Sequence, residues 1–127
     1  MVAGLCLVRA ALTVAVGTSQ FTLAWTHSIE KTRWEEDWRV TPAGLELVEA
    51  RVRGSGAGVD PPEGSRWEAG AWRYRPALPA VPSFVLAASE FTPDHELCVG
   101  QQCRPLGSWI AERGPVRFEP CGTVSAR

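Results

Sequence analysis

The chain lacks an apolar run of about 18 residues, the length a helical membrane span needs, because Arg9 and Thr13 interrupt its N-terminal apolar stretch. No membrane-crossing helix is expected. An excess of either charge is also missing: 13 basic residues, a single one of them lysine, stand interspersed with 14 acidic ones. Without a basic stripe there is no electrostatic footprint for nucleic acid or an anionic membrane surface. Repeats of about 20–50 residues and low-complexity tracts are absent, so solenoids and propellers are excluded. Helical periodicity is scarce too. Its best stretch is 105–112, where Leu106, Trp109 and Ile110 share one face over a turn or two.

What is there reads as strands. Ten prolines and twelve glycines fall between short apolar runs, the punctuation of a chain that turns often. The alternation predicts strands near 4–8, 12–16, 20–28, 34–41, 44–53, 71–75, 83–89, 95–99, 102–106 and 116–121. With 127 residues the chain can bury one ordinary core. The expectation is a single all-β domain over 1–127, a sandwich or partly open barrel of short, mostly antiparallel strands. Within 45–53 the apolar phase shifts from Leu45 and Leu47 to Val48, Ala50 and Val52, which predicts a β-bulge. Trp72 and Tyr74 alternate with Arg73 and Arg75, giving a half-buried strand with a basic outer face. Residues 1–17 have two readings. Arg9, a short apolar region and Ala15-Val16-Gly17 sketch a weak secretory signal, but two strands joined by a turn fit better.

Four cysteines are distributed as one close pair and two near the ends. A two-residue turn at Gly100-Gln101 would set Cys98 opposite Cys103, with glycine first as a type II′ turn requires. Opposed cysteines can bridge in an oxidising compartment. Cys6 and Cys121 would bridge only if the first and last strands are neighbours. The alternative is four thiols. A four-cysteine zinc site lacks its C-x2-C spacing.

The richest segment is 21–40, which holds three tryptophans, one of two histidines and four acids. Alternation places Phe21, Leu23, Trp25 and His27 on one face of a strand, and Trp34, Glu36, Trp38 and Val40 on one face of the next. In a hairpin with a tight turn Trp25 would pair with Glu36. A four-residue loop would instead pair His27 with Glu36 and Trp25 with Trp38. Either way a histidine and a carboxylate share an aromatic face, where they could form a structural polar pair or handle a proton, a metal or a pH signal. Ser28 points away from His27, so a serine nucleophile is not supported. Glu35 and Asp37 read as exposed acids rather than calcium ligands, since the turn spacing of a calcium loop is absent. His95, after a Thr-Pro-Asp turn, reads as a surface residue without an evident partner. The run Gly54, Ser55, Gly56, Ala57 and Gly58 opens a long loop that ends near Arg66, a candidate binding loop with Trp67 anchoring it to the core. It has neither the lysine nor the following helix of a phosphate loop. No cofactor and no metal is expected.

Several of these stretches resemble the DUF1850 family of uncharacterised bacterial proteins: Phe21-Thr22-Leu23 with Trp25-Thr26-His27-Ser28, Glu30, Trp34-Glu35-Glu36, Trp38, Glu49-Ala50-Arg51 with the following glycine run, Trp72-Arg73-Tyr74-Arg75-Pro76 and Leu97-Cys98. The resemblance implies an association with TAXI-type tripartite (TRAP) transporters, encoded beside or fused to them. The partner implied is the permease or its solute-binding protein, at an extracytoplasmic or inner-membrane location. Some members carry an N-terminal hydrophobic anchor, whereas this sequence reaches its first strand almost directly. Two functions follow as expectations. One is a non-catalytic accessory or binding module beside a transporter. The other is a small hydrolase or metal-dependent enzyme using His27 and Glu36, for which no third catalytic member stands at convincing spacing.

Overall fold

The computed structural model describes residues 2–26, 32–53, 64–87, 95–111 and 113–124. Within them lie strands β1 (Val2–Arg9), β2 (Leu12–Ala15), β3 (Gln20–Thr26), β4 (Arg33–Thr41), β5 (Gly44–Arg53), β6 (Arg66–Glu68), β7 (Ala71–Tyr74), β8 (Phe84–Leu86), β9 (Glu96–Val99), β10 (Gln102–Pro105) and β11 (Val116–Val124), and one helical turn, α1 (Leu106–Trp109). Ten of the strands stand where alternation places them. The short β6 was not anticipated: three residues with no buried position carry no burial pattern to read. Among the described residues helix is confined to α1, shorter than 105–112, because Ile110 is already extended.

The strands form two antiparallel sheets, ordered β2-β1-β11-β8 and β10-β9-β3-β4-β5-β7-β6. They share no strand, so the architecture is a sandwich and the barrel alternative falls away. The core between them is built from Leu5 and Leu7 of β1, Phe21 and Leu23 of β3, Val40, Leu45 and Leu97, with Val116 and Phe118 of β11. Phe118 is its hub, with ring centroids 4.8 Å from Phe84 and 5.7 Å from Phe21. Residues 2–15 form the two expected strands: β1 is an interior strand between β2 and β11, with Leu5 and Leu7 fully buried. Buried Arg9 is satisfied by the carbonyls of Gly114, at 2.9 Å, and Ile110, at 3.3 Å.

Local sequence sets the joints. Gly100 adopts φ 63° between the paired residues Val99 and Gln102, and Gln101 does not share the positive φ, which is the type II′ pattern. The β4–β5 register shifts between Asp37 and Trp38, since Asp37 faces Glu49 and Trp38 faces Leu47, leaving Val48 as the extra residue of the expected bulge. Gly44, at φ 135°, lies against the carbonyl of Val81, where an added Cβ would collide. That close approach docks the 76–83 segment through the Leu45–Val81 bridge. First and last strands are neighbours, and both bridges are formed: Cys6–Cys121 ties β1 to β11, and Cys98–Cys103 ties β9 to β10.

Candidate functional site

On the inner face of the larger sheet, Phe21, Leu23 and Trp25 of β3 line up with Trp38, Glu36 and Trp34 of β4. The shared face is as expected, but the register is neither of the two anticipated. Trp25 pairs with Trp34 rather than with Glu36 or Trp38, and Glu36 stands opposite Leu23. The last described pair is Thr26 with Arg33, and slipping by an even number of positions keeps the faces intact. The observed register matches aromatic with aromatic. Trp25 and Trp34 stack at 6.2 Å and 13°, and Phe21 and Trp38 at 6.4 Å and 6°. His27 and Ser28 lie outside the described residues, as does the run Gly54, Ser55, Gly56, Ala57 and Gly58.

Two side-chain rows cross this face. Trp25, Trp34, Val52, Trp72 and Trp67 are successive partners over β3, β4, β5, β7 and β6. Beside them run Leu23, Glu36, Ala50 and Tyr74. Glu36 is thus a carboxylate set in an aromatic and aliphatic surface. Burial pushes its pKa above the ordinary carboxylate value, opposed by the Trp38 indole N–H, which donates to Oε1 at 3.3 Å. Tyr74 is raised as well, first by burial and then by the negative charge of Glu36. The Trp34 indole nitrogen is buried with no hydrogen-bond acceptor among the described residues. Two readings need correction here. His95 packs on Trp25 at 5.3 Å instead of standing alone at the surface, and Trp67, 50% exposed, leans edge-on against Trp72 at 5.4 Å instead of anchoring in the core. Trp67 lies on β6, the edge strand of its sheet, whose three residues are all exposed.

The opposite face carries a charge network that sequence reasoning missed. Glu35 and Asp37 are held rather than free. Arg51 grips Asp37 through two nitrogens, at 2.6 and 2.8 Å, and reaches Glu49 at 3.2 Å and Glu35 at 3.3 Å. Arg53 donates to Glu35 at 2.8 Å, Arg73 to Glu49 at 2.9 Å, and Arg33 to Glu96 at 2.8 Å. Burial works against ionising Glu35 and Asp37, yet the arginine hydrogen bonds outweigh it and hold both below their ordinary values. The signal was present in the alternation of Glu35, Asp37, Glu49, Arg51, Arg53 and Arg73, but only strand order reveals that their rows are adjacent. A groove of about 320 Å³ opens on this side, lined in part by Thr22, Asp37, Arg39, Val48, Cys98 and Gly100.

Among the described residues, no three or more His, Cys, Asp or Glu side chains gather as a metal site, and no helix is long and apolar enough to cross a membrane. A family model described as a domain of unknown function, DUF1850, matches residues 21–106. The chain belongs to the DUF1850 family. The matched region contains nearly all of the seven-stranded sheet with both its faces, whereas β1, β2 and β11 of the smaller sheet lie outside it. No curated protein and no solved structure matched this DUF1850 chain.

Proposed function

We propose that this DUF1850 protein is a non-catalytic binding module that works beside a TAXI-type TRAP transporter, contacting the permease or its solute-binding protein on the extracytoplasmic side. The observation that carries the reading is the state of the acids. Glu36 has an indole N–H as its hydrogen-bond partner, and Glu35, Asp37 and Glu49 are held by arginines. Groups so engaged suit a rigid surface better than proton transfer to a substrate. The two disulfides favour an oxidising compartment, where solute-binding proteins act. Family membership supplies the link to the transporter through the association that DUF1850 implies.

The test is solute uptake in cells lacking the protein, rescued by wild type or by Trp67→Ala and Trp72→Ala. Loss of uptake without the protein, and failed rescue by variants whose thermal midpoints match wild type, is the expected result. The competing reading is a small hydrolase or metal-dependent enzyme, which the raised Glu36 would serve as an acid. Unchanged uptake, together with substrate turnover by purified protein that Glu36→Gln abolishes, would replace the binding reading with that one.

A further inference from the structure

We infer that Cys98–Cys103 is a thiol-exchange site that opens and closes in the folded protein by reaction with a thiol-bearing partner, while Cys6–Cys121 is a fixed structural bridge. The β9–β10 hairpin does not depend on its disulfide. Its register is set by the Gly100-Gln101 turn, and β9 is pinned on its other side by β3. A second clamp comes from α1: the Trp109 indole N–H donates both to the Leu97 carbonyl of β9, at 3.0 Å, and to the Arg104 carbonyl of β10, at 3.2 Å. The Arg104 guanidinium lies 3.9 Å over the Trp109 ring and closes the same unit. With turn, sheet and clamp in place, reduction leaves the hairpin standing.

Access is asymmetric. Cys103 is exposed on β10, the edge strand of its sheet. Cys98 is only 6% exposed, but it forms part of the wall of the groove that also contains Thr22 and Gly100. An incoming thiolate therefore attacks the Cys103 sulfur. The Cys98–Cys103 bond breaks, Cys98 leaves as a thiolate at the groove, and a mixed disulfide joins Cys103 to the partner. A second thiol, from the same dithiol or another small thiol, attacks the partner's sulfur and releases Cys103. The pair has gained two electrons, the partner is oxidised to its disulfide, and both cysteine thiolates take up protons. The reverse sequence closes the bridge. Exposed bridges of this kind are the labile ones. Cys6–Cys121 is less accessible: Cys6 is 4% exposed, Cys121 is half-buried where Cys103 is exposed, and the bond joins interior strands 115 residues apart in sequence.

The folded protein is equilibrated in glutathione buffers of graded ratio, and separately with a reduced dithiol oxidoreductase. Samples are then quenched by alkylation and mapped by peptide mass, with the near-ultraviolet spectrum recorded in parallel. Cys98–Cys103 is expected to open at a reductant ratio at least about tenfold lower than Cys6–Cys121, with the spectrum retained and any trapped adduct on Cys103. Opening by glutathione assigns the exchange to a small thiol, and opening by the oxidoreductase alone assigns it to a dithiol protein. The inference is overturned if neither opens it, if both bridges open together or only as the spectrum collapses, or if the adduct sits on Cys98.

Discussion

Glu36 stands directly opposite Leu23 across the β3–β4 pair, and the Trp38 indole two residues along its own strand donates to it at 3.3 Å. A charged group facing an aliphatic one gains nothing from its cross-strand neighbour, so among the described residues of that hairpin the compensation comes from the indole. In the same row, past Ala50, lies Tyr74, which feels the same charge.

Replacing Glu36 by Gln keeps a hydrogen-bond acceptor for Trp38 and removes the charge. Because burial raises the folded pKa of Glu36, its stabilising contribution is complete below the ordinary carboxylate value and is lost as pH rises through the raised one. Glu36→Gln is therefore expected to melt higher than wild type near pH 7 and together with it below about pH 4. Thermal midpoints across that range check this. The chain has one tyrosine, so an absorbance titration reads Tyr74 alone, and the variant should titrate at lower pH.

Arg51 bridges three carboxylates on the outer face. Arg51→Met leaves Asp37, Glu35 and Glu49 with less compensation and should cost about 1–3 kcal/mol at neutral pH. Glu35 and Asp37 have lowered pKa values, so their contribution is present above the ordinary carboxylate range and lost as pH falls through the lowered values. Urea unfolding at descending pH should show wild type losing more stability than Arg51→Met, until the two converge.

The β6–β7 turn places Ala69 at φ 53° and Gly70 at φ 77° between the paired residues Glu68 and Ala71, the arrangement of a type I′ turn. Alanine is strained there, whereas Asn-Gly is the favoured pair. Ala69→Asn is expected to stabilise the protein by about 0.5–1 kcal/mol, measured as a rise in urea midpoint at unchanged slope.

The two bridges close loops of very different size, with sequence separations of 115 and 5 residues. Chain entropy assigns about 5 kcal/mol to Cys6–Cys121 and about 2 kcal/mol to Cys98–Cys103. Paired Cys→Ser variants compared by denaturant unfolding should show the first loss as much the larger, and equal losses would contradict the entropy account.

The candidate site was half legible. Trp25, Trp34, Glu36 and Trp38 were assigned to one face by alternation, and that holds. Their pairing is not legible in the sequence, because a shift by an even number of residues leaves every face unchanged and burial pattern alone does not choose among such registers. The charge network escaped because Arg51 meets Asp37 and Glu35 on one neighbouring strand, while Glu49 on its own strand meets Arg73 on the other.

By itself the sequence determined the properties that depend on a residue and its near neighbours: the strand periodicity, the type II′ turn at Gly100, the Val48 bulge, and the inward direction of Glu36. Side-chain direction repeats every two residues whatever lies across the sheet, so these could be read from the chain. Tertiary structure alone decided that β1 and β11 are neighbours and join Cys6 to Cys121, that Trp25 meets Trp34, that Trp67 stays exposed, and that the outer-face acids are held by arginines from several strands. These depend on which distant segments come together, and that is settled by the collective burial of Phe118, Leu5, Leu23 and their neighbours in one core rather than by any local preference.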